Sequence, residues 1–282
     1  NSWKDKLLIE LYNKTAALLQ KGLEFQVDRF ENIQLNKTDA LRILELKGIS
    51  SPQVHAIWNI FSDQYFVSHT PGEIVWHTQY ITEDAGRSDP LVKTRLDTKT
   101  DSLELFVYTK SRDHIFANIV SVIGQLSLNV VSAQIVNCSN GFALETFKII
   151  SDTYTTDALE HAAIEMVRKI IENLSSDSDR LSEVVWSTPR THKYFDVLNE
   201  IRFENNAEDG TVRIHIDSID RPGLLATVAQ TFIDCEVRLL SAKISTAGEK
   251  ALDYFDISSM EEGAMLTIEK QEELKAAILK RL

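Results

Sequence analysis

The 282-residue chain is predicted to be an α+β protein, with an N-terminal helical segment followed by two ferredoxin-like domains of βαββαβ order. Three observations predict this. Apolar residues up to about Ile81 recur at helical spacing, and from Leu103 the pattern changes to period-two alternation. A strand–turn–helix segment also occurs twice at a fixed separation, which marks a tandem duplication.

In the helical part, residues 1–83, Leu8, Leu11, Tyr12, Leu19 and Gly22 line one side of a first helix. A polar stretch, Asp28 to Lys37, precedes a short helix at Leu41 to Leu46 that Gly48 can end. Ser51-Pro52 reads as an N-cap and first helical position, with Val54, Ile57, Trp58, Phe61 and Tyr65 behind it. Thr70-Pro71-Gly72-Glu73 is a capping box, and Ile74, His77 and Ile81 mark the helix face that follows. His69 and His77 match no metal-binding spacing and read as packing residues.

Residues 84–99, with Gly86 and Pro90, read as a linker. The first domain is assigned to 100–203 and the second to 204–282. Leu103, Leu105 and Val107 form a strand, Thr109 to His114 a polar turn, and Ile115, Phe116, Ile119, Val120 and Ile123 a helical stripe. Val212 to Phe232 repeats this design. Leu103 aligns with Val212, Phe116 with Leu225 and Ile123 with Phe232, all at one interval in sequence number (212 − 103 = 109). Past Ser132-Ala133 and Ser241-Ala242 the interval shortens by one, as Phe147 and Phe255 show (255 − 147 = 108). Second and third strands and a second helix follow in each repeat. Phe195, Val197, Ile201 and Phe203 mark a further strand, which belongs either to the first repeat or to the sheet of the second.

In the second repeat the strand runs through Ser218-Ile219-Asp220-Arg221-Pro222-Gly223 into a helix beginning near Leu224. Backbone N–H groups at a helix start can hold a carboxylate. Pro222 suits a first helical turn, and Gly223 lets a ligand approach the backbone. Asp220 can cap the helix or accept hydrogen bonds from a ligand ammonium. Two ferredoxin-like sheets joined side by side or face to face bring the turn after strand one to strand two of the neighbour, so ligand sites are expected between repeats.

Composition removes several function classes. With 30 basic and 42 acidic residues the net charge is −12, which argues against binding the nucleic-acid backbone. Cys138 and Cys235 are too few for a disulfide framework and have no CxxC spacing. No run of about 18 apolar residues suggests a membrane span, and a cytoplasmic location is expected. The opening Asn1-Ser2-Trp3, without Met, fits a fragment of a longer protein.

Asp220-Arg221-Pro222-Gly223-Leu224-Leu225 and Leu240-Ser241-Ala242-Lys243-Ile244 resemble the ACT domain, an amino-acid-sensing module. Asn1 to Lys4 (NSWK), Tyr65 to His77 (YFVSHTPGEIVWH) and the successive ACT-like repeats resemble the C-terminal part of the bifunctional uridylyltransferase/uridylyl-removing enzymes of protein PII. The resemblance implies a glutamine-sensing regulatory fragment that biases UMP attachment against UMP removal. Its implied partners are glutamine, protein PII and the enzyme's own catalytic domains, with no nucleic acid and no membrane. Catalysis in that family uses Mg²⁺ or Mn²⁺ and UTP. No Gly-Ser turn with paired aspartates and no His-Asp dipeptide occurs here, so no catalytic residue, metal site or cofactor is assigned to this chain.

Carried over by position, the implied ligand residues are Ser218, Asp220, Arg221, Pro222, Gly223 and Leu224. Asp220 would hold the ligand's amino group, and N–H groups near Gly223 and Leu224 its carboxylate. Thr109, Ser111, Asp113 and His114 form a weaker second site, because they stand where Ser218, Asp220, Pro222 and Gly223 stand in the other repeat. Two rival readings are an ACT module sensing another amino acid for another enzyme, and a ligand-free ACT dimerisation module.

Overall fold

The computed structural model describes residues 29–84, 86, 89–98, 100–151, 156–175, 199–206, 211–220, 223–244, 246–247, 250–261 and 264–282. The helix expected around Leu8 to Gly22 lies outside the described residues. The chain divides into two compact units. One contains the N-terminal helices with 108–110 and 136–144, and the other contains 92–107, 111–135 and 145–282.

In the first unit, α1 (Arg29–Leu46), α2 (Ser51–Trp58), α3 (Asp63–Ser68) and α4 (Pro71–Glu83) pack together. The polar stretch before Leu41 is helical too. Ile33, Ala40 and Leu44 fall on one buried stripe, and that tertiary burial outweighs the polar composition. Gly48, at φ +85°, ends α1, and the Ile49 N–H donates to Leu44 O at 3.1 Å. The cap of α2 is Ser50 rather than Ser51. The capping box of α4 forms as read, with the Thr70 N–H donating to Glu73 Oε2 at 2.7 Å and the Glu73 N–H to Thr70 Oγ1 at 3.3 Å. Tyr65, Phe66, Ile74 and His77 are buried in the core. Tyr65 Oη shares a hydrogen bond with His77 Nδ1 at 3.1 Å, and His69 Nδ1–H donates to Tyr65 O at 2.9 Å. Both histidines are thus buried and hydrogen-bonded to Tyr65.

The remaining elements are β1 (Leu91–Asp97), β2 (Ser102–Lys110), α5 (Ile115–Gln125), β3 (Asn129–Asn137), β4 (Phe142–Ile150), α6 (Thr156–Ser175), β5 (Glu200–Asn205), β6 (Val212–Ile219), α7 (Leu224–Asp234), β7 (Val237–Lys243), β8 (Thr246–Ala247), β9 (Lys250–Ser259) and α8 (Ile268–Arg281). The strands form one sheet in the order β1-β2-β4-β3-β7-β9-β6-β5, with β8 beside β9. The α+β class and the two ferredoxin-like repeats are as read from the sequence. Helices α5 and α7 both begin and end at the repeat interval (224 − 115 and 234 − 125, each 109), and they pack against each other.

One expectation is corrected, and one alternative left open by the sequence is settled. Leu91–Asp97, read as part of the linker, is strand β1 beside β2. Residues Glu200–Asn205 form β5, which pairs antiparallel with β6 and so completes the second repeat, not the first. Phe195 and Val197 lie outside the described residues. Each repeat thus takes its edge strand from the chain preceding it, in ββαββα order, and the sheet order of a ferredoxin-like fold is kept. The physical reason is local. A short antiparallel connection places the preceding segment on the exposed edge of β2 or β6, whose backbone groups need partners.

The repeats join through β3 and β7, which run antiparallel with Gln134 opposite Lys243. This pair is separated by the repeat interval (243 − 134 = 109), so the two positions are equivalent. An element pairing with its own equivalent is what a pseudo-two-fold axis through the seam requires.

Candidate ligand-binding site

The second repeat's turn is positioned by β6 and α7. Val212, Ile214, Ile216 and Ser218 point inward along β6, and Leu224, Leu225, Val228 and Phe232 bury the inner face of α7. Gly223 has φ +83°, a left-handed value that side chains disfavour, and it directly precedes the helix. The Thr227 N–H donates to Gly223 O at 2.9 Å, the first hydrogen bond of α7. The residue at the cap position is therefore Gly223 and not Asp220.

Around this turn the fold brings together Asp220, Gly223, Leu224, Leu225 and Ala226 from the second repeat with Gly124, Leu128, Asn129 and Val130 from the first. These residues line a cleft of about 30 Å³, room for one or two water molecules. The expected meeting of one repeat's turn with the other repeat's second strand is therefore present. The N–H groups at the α7 start and the Asp220 carboxylate are the groups that can receive a carboxylate and an ammonium. Ser218 is 2 % exposed, and its Oγ has no hydrogen-bond partner among the described residues. It lies beneath the turn and is not among the cleft-lining residues. Arg221 and Pro222 lie outside the described residues.

The first repeat is built differently. Thr109 is buried at the end of β2, and Ser111 is exposed. Asp113 Oδ1 accepts from Arg238 Nε at 3.0 Å, and Arg112 Nη2 donates to Leu174 O at 3.0 Å at the end of α6. His114 precedes α5 at φ −111°, an ordinary value, and its Nδ1 is buried without a partner among the described residues.

Sequence reasoning singled out neither Asn129 nor the paired inner carboxylates. Glu145 on β4 and Asp253 on β9 are 3 % and 1 % exposed. They occupy equivalent positions at the shortened interval (253 − 145 = 108). Burial pushes the Glu145 carboxyl up to about 8. The signal available for both was an acid repeated inside an otherwise apolar alternation. In the first unit a larger cavity, about 480 Å³, lies among Ile57, Ile60, Ile81, Tyr108, Asn140 and Phe142. Burial raises the Cys138 thiol to about 12 and also raises Cys235, so neither is an activated nucleophile. Among the described residues, no helix is long and apolar enough to cross a membrane.

Comparison with known proteins agrees with this architecture. Residues 28–80 match the family described as uridylyltransferase GlnD fifth domain, and residues 98–175 match the plant bHLH transcription factor ACT-like domain. A bifunctional uridylyltransferase/uridylyl-removing enzyme from Methylococcus capsulatus is 33 % identical over 93 % of this chain and 30 % of its own length. Enzymes of the same name from Pseudomonas fluorescens and Vibrio campbellii are 30 % and 32 % identical over all of this chain and 32 % of theirs. The chain spans about a third of the length of these curated relatives. With the fifth-domain match in its helices and the relatives aligned along nearly all of it, the chain belongs to the bifunctional uridylyltransferase/uridylyl-removing enzyme family, as its C-terminal part.

Proposed function

We propose that this chain is the amino-acid-sensing regulatory part of a uridylyltransferase/uridylyl-removing enzyme, with glutamine as its ligand. Binding would bias the parent enzyme between attaching UMP to protein PII and removing it. The observation that carries this reading is the cleft where Asp220, Gly223 and Leu224 meet Asn129 and Val130. It pairs an acceptor for an ammonium group with helix-start N–H groups for a carboxylate, the two charges common to every free amino acid. An amide side chain from Asn129 adds a donor and an acceptor that suit the carboxamide of glutamine.

The cleft is too small for an amino acid as it stands, since ligand pockets typically run to about 300 Å³ or more. Binding therefore includes an outward movement of the turn, for which the left-handed Gly223 is the natural pivot. Catalysis, with Mg²⁺ or Mn²⁺ and UTP, is assigned to regions of the parent outside this chain.

Thermal-shift measurements with each of the twenty amino acids test the proposal. Stabilisation by glutamine that is lost in Asp220→Ala is the expected result. Stabilisation by another amino acid would transfer the site to a different ligand. No response to any would leave a module whose repeats only associate. Incubation with PII, UTP and Mg²⁺ is expected to yield no uridylylated PII.

A further inference from the structure

The pseudo-two-fold axis assigns each residue at one turn a counterpart at the other. Asp220 corresponds to Ser111, Gly223 to His114, and Arg238 to Asn129, every pair at the repeat interval (220 − 111, 223 − 114 and 238 − 129, each 109). Asn129 belongs to the strand that faces the second repeat's turn, so Arg238 belongs to the strand that faces the first. Where the second repeat opens a cleft between Asp220 and Asn129, the first has an ion pair, Arg238 Nε to Asp113 Oδ1 at 3.0 Å.

We propose that Arg238 is a built-in occupant of the first repeat's ligand position, its guanidinium standing where the ammonium of a bound amino acid stands in the second. The inference rests on the ligand reading above for what the position would otherwise hold. Three features support it. The carboxylate has moved from the position of Asp220 to that of Pro222, where it meets the arginine from the opposite strand. Arg112, the next residue back, fastens the same turn to the C-terminal end of α6 through Leu174 O. His114 replaces the left-handed glycine with φ −111°, so the pivot that lets the second turn move is missing. The ligand's charge and the turn's closure are thus supplied within the chain. The pair is about one-third exposed on both sides, so it acts as a position-holder and adds little stability.

Calorimetric titration of the full 282-residue chain with glutamine tests this. Wild type is expected to bind one ligand. The variant Ser111→Asp/His114→Gly, which restores the turn but keeps Arg238, should also bind one. Adding Arg238→Asn to that variant should raise the number to two. Two ligands bound with Arg238 in place, or one bound by a folded triple variant, overturns the proposal.

A second measurement needs no ligand. Asp113→Asn and Arg238→Gln are each expected to lower the melting temperature by about 1–3 °C. The double variant should lose no more than the larger single loss, and fully additive losses would show that the two side chains do not meet. If no variant binds glutamine, the ligand reading fails, and this cycle still decides whether Arg238 fills the turn.

Discussion

Asn129 and Arg238 hold equivalent positions in the two repeats, yet Asn129 borders a cleft while Arg238 is bound to Asp113 at 3.0 Å. Equivalent positions of one duplicated strand thus have two different surroundings. Asn129→Ala is expected to weaken glutamine binding about tenfold, the loss of roughly one hydrogen bond, with stability changed by less than about 0.5 kcal/mol. Titration calorimetry and thermal melting check the two halves. Unaltered affinity would remove Asn129 from the site.

Gly223 and Gly48 share nearly the same backbone angle, φ +83° and +85°, and Gly48 has nothing within 4 Å of where a Cβ would stand. Replacing either by Ala should cost about 1 kcal/mol from the left-handed conformation. Only Gly223→Ala should also reduce glutamine affinity, because only that position borders the cleft. Equal affinity in the two variants would deny Gly223 a part in binding.

Glu145 has its carboxyl pushed from 4.5 up to about 8 by burial, so the folded chain keeps a proton that the unfolded chain releases. An acid raised in this way leaves stability unaffected at low pH. Stability then falls as pH rises through the window from about 4.5 to about 8, by an amount on the order of 4 kcal/mol. Glu145→Gln should remove that slope, melting above wild type at pH 8 and close to it at pH 5. Melting curves across this range are the measurement, and parallel profiles for the two proteins count against it.

Tyr65 links both buried histidines of the helical unit, through its hydroxyl to His77 and its carbonyl to His69. Tyr65→Phe keeps the ring packing and the carbonyl, and withdraws only the hydroxyl from His77. A loss of about 1–3 kcal/mol is expected in chemical denaturation, the usual cost of taking a partner from a buried polar group. A neutral substitution would show that His77 is satisfied elsewhere.

The duplicated strand–turn–helix was legible in the sequence because each copy carries its own periodicity switch and the spacing is regular. Strand β1 was missed although the same interval reaches it. Val92 and Ile201, both buried in their edge strands, are a repeat-equivalent pair (201 − 92 = 109), but Gly86 and Pro90 just ahead gave the region the character of a linker. The first half of α1 was hidden because only Ile33, Ala40 and Leu44 of its stripe are apolar and buried. Asp220 and Gly223 could be singled out from their turn. Asn129 could not, since an asparagine opening a strand gains meaning only from the β3–β7 pairing that sets it opposite another repeat's turn.

The seam itself has a mechanical consequence. Strands β6 and β9 are in register from Val212 opposite Ile257 to Ile219 opposite Lys250, whereas β3 and β7 align at Gln134 and Lys243, with a long 3.5 Å contact from Ile244 N–H to Ala133 O nearby. The two repeats meet along this seam and along α5 and α7, and the Asp220 cleft and the Asp113–Arg238 clasp lie toward opposite ends of it. A ligand entering at one end, with a clasp already closed at the other, would load this paired architecture on one side only.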